Sequence, residues 1–132
     1  MKTGDINQTV IIKAQPDEVY RALLDAREHA AFTGSAAQIE PKVGTPFSAY
    51  DGYITGKNLQ LKEDKKIVQA WRADEEGWPE GHWSKVTIAL KLTKGGTELR
   101  FHQTNIPERC LSRIADGWGE FYWQPLKRML ER

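Results

Sequence analysis

The chain is predicted to be an α+β protein: a curved antiparallel sheet of about six or seven strands wrapped around one long C-terminal helix, with two short helices after the first strand. Three observations predict it. Short alternating or β-branched runs separated by turn residues occupy the middle of the chain, from Ala36 to Asn105. Two short helical patterns follow the first such run. An aromatic segment, from Gly117-Trp118 through Phe121-Tyr122-Trp123 to Pro125-Leu126, comes near the end. Each tryptophan carries roughly 150–250 Å² that is costly to expose. Trp71, Trp78 and Trp83 are therefore expected to find cover, and that segment is the best candidate.

Taken in order, Thr9–Lys13 is a β-branched run and the first strand. Pro16 suits a first helical position, and Asp17 and Glu18 suit the positive end of a helix. Val19, Tyr20, Leu23 and Leu24 then follow at helical spacing. Asp25 is placed to cap a second short helix with Ala26, Ala30 and Phe32, ended by Thr33-Gly34. Strand patterns follow at Ala37–Ile39, Pro46–Tyr50, Tyr53–Leu61, Ile67–Arg72, His82–Leu92 and Thr97–Asn105. Asp51-Gly52 and Lys94-Gly95-Gly96 mark turns. Pro107 closes the sheet. On a helical wheel of about 100° per residue, Ile114, Trp118, Phe121, Tyr122, Pro125 and Met129 share one face. Trp123 and Leu130 lie opposite, as a stripe for a loop or for a partner. Pro125 removes the bond to the Phe121 carbonyl, so a kink is expected there.

The 132 residues are expected to form a single domain, 1–132, with a core that needs no staple. With 39% hydrophobic and 28% charged residues, disorder is not indicated. A formal net charge of +1 gives no reason to expect nucleic acid or an anionic membrane. Cys110 is the only cysteine, so no internal disulfide can form. The N-terminus has no signal-peptide run, and no stretch of about eighteen apolar residues spans a membrane. A cytoplasmic monomer is the expectation.

No catalytic constellation emerges. His29, His82 and His102 are far apart in the chain and none has zincin spacing. The serines lack a nucleophile elbow, and Cys110 lacks an obvious base, so a structural role is favoured. The expected site therefore has no catalytic residue, metal or cofactor. A curved sheet closed by one helix often leaves an apolar space. Its candidate lining is Phe47, Ile54, Trp71, Val86, Ile88 and Phe101 from the sheet and Trp118 and Tyr122 from the helix. Inward-facing Gln69 and Gln103 would hint at a wet or ligand-lined interior. Trp78, Glu80, His82 and Trp123 are candidates for a partner surface.

The order of elements resembles the START/Bet v-like helix-grip superfamily. Within it, the chain is most similar to the C-terminal domain of Aha-type activators of the heat-shock protein 90 ATPase, from Thr9 to Leu130. The similarity is carried by Ala31-Phe32-Thr33, Gly44 with Phe47, Asp51-Gly52, Gly56, and Ile67-Val68 with Trp71-Arg72. Trp78-Pro79-Glu80-Gly81-His82, Ile106-Pro107, Gly117-Trp118 and Tyr122 are its sharpest parts. The resemblance implies a non-enzymatic binding module with a co-chaperone or stress-response role and a heat-shock protein 90-type chaperone as partner. Full-length activators carry a separate N-terminal domain, which the residues before Thr9 do not supply. The alternative is a carrier or sensor of a small hydrophobic ligand held between sheet and helix.

Overall fold

The β-branched run Thr9–Ile12 lies at the end of strand β1 (Thr3–Ile12), in a computed structural model that describes residues 1–131. The strand starts earlier than its composition predicts. It pairs antiparallel with the last strand from Thr3↔Pro107 to Ile12↔Thr97, and that distant partner holds residues with little strand preference of their own.

Pro16 opens helix α1 (Pro16–Leu24), where its missing N–H costs nothing. The Gln15 N–H donates to Glu18 Oε1 at 2.9 Å. Asp25 caps helix α2 (Ala26–Thr33), its Oδ2 accepting from the Glu28 N–H at 3.0 Å, and Gly34 ends it at φ 73°.

The sheet then meanders through β2 (Pro46–Ala49), β3 (Ile54–Lys62), β4 (Lys66–Ala73), β5 (Ser84–Thr93) and β6 (Gly96–Pro107). Its six strands lie in the order β1-β6-β5-β4-β3-β2, all antiparallel. Ala37–Ile39 is not a strand; it contributes only the bridge Gln38↔Ser48. Asp51-Gly52 does turn the chain, with positive φ at Tyr50, Asp51 and Gly52. A Cβ on Gly56 would lie 2.1 Å from the Ala70 carbonyl oxygen and 2.5 Å from the Phe47 ring. Only glycine lets that ring lie across β3.

Alternation decides what faces inward. Ile67, Gln69, Trp71 and Ala73 of β4 are buried, as are Val86, Ile88 and Leu90 of β5 and Leu99, Phe101 and Gln103 of β6. Over this face lies the C-terminal helix: α3 (Leu111–Trp118), a π-helical turn (Gly119–Trp123) and α4 (Gln124–Leu130). The helix-grip fold is present.

The π turn corrects the helical wheel. Gln124 donates its N–H to the Gly119 carbonyl, one residue further back than in an α-helix. The extra residue rotates the aromatic face, so Trp123 is 3% exposed and Phe121 is 49% exposed. Pro125 explains why the change sits here. It has no N–H for the Phe121 carbonyl, and the Tyr50 hydroxyl donates to that carbonyl instead.

Candidate functional site: an aromatic cleft between sheet and helix

The helix covers the middle of the sheet but leaves an opening at the β2–β4 end. There a cleft of about 580 Å³ lies between the β2–β3 turn and the C-terminal helix. Tyr50, Tyr53 and Ile54 form one wall, Trp71 and Trp118 line its interior, and Gly117, Phe121 and Tyr122 form the other wall. Gly117 widens the space, because a Cβ there would meet only the Phe121 ring, at 3.8 Å. Glu75, Arg113, Asp116 and Glu120 also border the cleft, and Arg113 Nε pairs with Glu75 Oε1 at 3.2 Å.

Each lining ring is held from behind. Trp118 lies with its centroid 5.5 Å from Trp71, 4.4 Å from Phe101 and 4.6 Å from Tyr122. Its indole N–H donates to Gln103 Oε1 at 2.8 Å, and Gln103 Nε2 donates to Ser84 Oγ at 2.9 Å. Ser84 in turn donates to the Trp71 carbonyl at 2.7 Å, completing a buried chain that ties helix to sheet. Gln69 Nε2 donates to Asn58 Oδ1 at 2.9 Å, and Asn58 Nδ2 donates to the Glu40 carbonyl at 2.8 Å. The inward glutamines therefore bond to protein groups instead of lining a wet interior.

Tyr122 is fixed by a second pair. His29 sits with Nδ1 3.1 Å from the Leu23 carbonyl and Nε2 2.9 Å from the Tyr122 hydroxyl. A carbonyl can only accept, so the ring proton belongs on Nδ1 and Nε2 accepts from Tyr122. Burial lowers the His29 pKa, partly opposed by the Leu23 hydrogen bond, and burial raises that of Tyr122. Tyr50 is pushed up to about 12 by burial, and Tyr53 to about 12 by burial and then by Glu75. The Tyr122 proton is committed to His29 and the Tyr50 proton to the Phe121 carbonyl, so to the cleft these two residues offer chiefly their ring faces. No nucleophile–base pair is assembled among the described cleft residues. No group of three His, Cys, Asp or Glu is placed to hold a metal among the described residues.

Of the predicted lining, Ile54, Trp71, Trp118 and Tyr122 border the cleft. Phe47, Val86, Ile88 and Phe101 are buried in the core and do not. Phe101 lies against Trp118, which separates it from the opening. Tyr50, Tyr53, Ile114, Gly117 and Phe121 border the cleft and were absent from the expectation. Their signal was weak, because two lie in a turn and Phe121 is displaced by the π turn. Two partner-surface candidates are corrected. Trp123 is buried against Phe101, its N–H donating to Gln8 Oε1 at 2.7 Å. Trp78 is also buried, folded against Trp71 by turns with positive φ at Gly77 and Gly81. Its N–H donates to the His82 carbonyl at 2.9 Å. Glu80 remains exposed and His82 half-buried, while Trp83, not singled out as a partner residue, is 44% exposed.

The family model described as "Activator of Hsp90 ATPase homolog 1-like protein" matches residues 13–131. The activator of 90 kDa heat shock protein ATPase homolog 1 of Homo sapiens is 33% identical over 113 residues, covering 86% of this chain and 33% of the human protein. The chain spans about a third of the length of the curated relatives it matches. A crystal structure of an HSP90 activator from Plasmodium falciparum superposes with a TM-score of 0.84 at 25% identity, covering 98% of this chain and 96% of that one. The solution structure of the Aha1 dimer from Colwellia psychrerythraea shares the fold, with a TM-score of 0.80 at 22% identity over 97% of this chain and 96% of that one. Matched from residue 13 to residue 131, this helix-grip chain belongs to the family of activator of Hsp90 ATPase homolog 1-like proteins.

Proposed function

We propose that the protein is a non-catalytic binding module that contacts a heat-shock protein 90-type chaperone in the cytoplasm, in a co-chaperone role. The observation that supports this reading is family membership over residues 13–131, in a family whose human relative is named as an activator of that chaperone's ATPase. The test is a pulldown with the cognate chaperone together with its ATPase rate at increasing amounts of this protein. Binding with a changed rate is expected; absence of both rules the role out.

A second reading is favoured by the cleft itself, whose volume and aromatic lining suit a small apolar ligand. Trp71 and Trp118 lie on its surface, so their fluorescence reports occupancy. An apolar probe such as naphthalene should shift the emission of the wild type and much less that of Gly117→Leu, in which the new side chain obstructs the space.

A further inference from the structure

The charges of this nearly neutral chain are not evenly spread. Strands β3, β4 and β5 contain Lys57, Lys62, Lys66, Arg72, Lys85 and Lys91, and no aspartate or glutamate. Among the described residues, none of these six cations has an ion-pair partner. Lysines are a common protection for sheet edges, but these are interior strands, with β2 beyond β3 and β6 beyond β5. Because β2 covers β3 only from Ile54 to Lys57, edge protection accounts for Lys62 but not for Lys57, Arg72 or Lys85.

Register gathers three of the cations on the face turned away from the helix. Lys57 lies opposite Ala70, and Ala70 opposite Lys85, so two cations flank one small residue. In the neighbouring row Thr55 lies opposite Arg72, and Arg72 and Ala70 share a face because they are two residues apart. The Arg72 guanidinium sits 5.9 Å from the centre of the Trp83 ring. Its Nε is buried and has no hydrogen-bond partner, while an Nη reaches the Pro79 carbonyl only at 3.4 Å.

Trp83 is presented rigidly. Asn105 Nδ2 donates to its carbonyl at 2.9 Å, and His82 Nε2 lies 2.8 Å from the Asn105 carbonyl. The buried Trp78 anchors the same loop through its bond to the His82 carbonyl. A half-exposed tryptophan with an arginine over its ring, on a backbone already held in place, has the composition and preorganisation of a binding hot spot. The guanidinium and flanking lysines suit anionic groups, and the half-exposed tryptophan beside them suits a protein segment that carries carboxylates. A net charge of +1 on the whole chain disfavours general attraction to polyanions.

We infer that the outer face of β3–β5, centred on Trp83 and Arg72 with Lys57 and Lys85, docks an acidic segment of a protein partner. Resting on the co-chaperone reading, this assigns the surface through which the chaperone is held. The test measures binding of the cognate heat-shock protein 90-type chaperone to wild type, Trp83→Ala and the pair Lys57→Glu with Lys85→Glu, at two salt concentrations. All three side chains are exposed, so circular dichroism should show unchanged folding. Trp83→Ala is expected to weaken binding about tenfold or more. The charge-reversed pair is expected to weaken it at least as much and to lose most of the wild type's salt dependence. Wild-type-like affinity in both variants overturns this surface and leaves the co-chaperone reading standing. No binding by the wild type overturns both. Phosphatidylserine vesicles or oligothymidylate captured by the wild type and lost in these variants, with chaperone affinity unchanged, overturns the choice of a protein partner.

Discussion

Gln103 shows how one buried side chain joins two layers. It is fully buried, accepts from the Trp118 indole N–H and donates to Ser84. Gln103→Leu would strand the Trp118 N–H, while Ser84 keeps its bond to the Trp71 carbonyl, and a buried unsatisfied group costs about 1–3 kcal/mol. The expected result is a lower urea midpoint with an unchanged m-value. Combining it with Trp118→Phe, which removes the stranded donor, should cost less than the sum of the two changes. His29 makes a different prediction at the same scale. Its pKa is lowered by burial from an ordinary 6.5, so the unfolded chain binds the proton more readily than the folded one. The resulting stability is fully present above pH 6.5 and is lost as pH falls towards the folded-state value. Thermal melts from about pH 7.5 to about pH 5 should show a steeper loss for wild type than for His29→Gln, which keeps polar atoms for Leu23 and Tyr122. Equal slopes would assign the pH dependence to other groups.

Among the elements, the C-terminal helix departs furthest from its sequence pattern. A proline in its interior leaves the Phe121 carbonyl without its usual donor, and a π turn with a tyrosine from the β2–β3 turn resolves the deficit. Tyr50→Phe is expected to destabilise by about 0.5–1.5 kcal/mol, the net worth of one hydrogen bond. In a Pro125→Ala background that loss should shrink, because the substitution restores a backbone N–H able to reach the same carbonyl. A double-mutant cycle by denaturation reads the coupling directly, and additivity would show that Pro125 and Tyr50 act independently. Gly56 is a second element-scale device. The contact of its absent Cβ with the Ala70 carbonyl predicts that Gly56→Ala destabilises by at least about 1–3 kcal/mol through overpacking, visible as a lower melting temperature.

Across the whole molecule, the two sides of the sheet carry different chemistry. The inner face supports an aromatic cleft bordered by carboxylates and one arginine, while strands β3–β5 carry cations on the outer face and no carboxylate. A chaperone site on the outer face and an apolar ligand in the cleft are thus separable. Gly117→Leu is the variant that distinguishes them. It obstructs the cleft, and removing a helix-interior glycine should raise stability by about 0.5–1 kcal/mol. Probe binding should drop sharply while chaperone affinity stays at the wild-type level; a parallel loss of both would place the chaperone contact at the cleft mouth.

Much of this architecture could be read from neighbours in the chain. Pro16 and Asp25 start their helices, Gly34 ends one, and alternation from Val86 to Leu90 and from Leu99 to Phe101 shows one buried face. These signals are local, set by backbone sterics, caps and the two-residue repeat of a strand, so they survive without knowledge of the partner. The family motifs likewise sit in short segments. The cleft was only half visible, since Tyr50 and Tyr53 join it through a turn and Phe121 through a change of helical register. What tertiary structure alone decided was which tryptophans are covered. Trp78 and Trp123 are buried and Trp83 is exposed, because Gly77 and Gly81 fold one loop back and a π turn rotates one helix. The covering partners are remote in sequence, as with Gln8 for Trp123 and Asn105 for the loop beside Trp83. Burial of a ring depends on atoms brought together by the whole chain, and composition or spacing around the ring does not encode them.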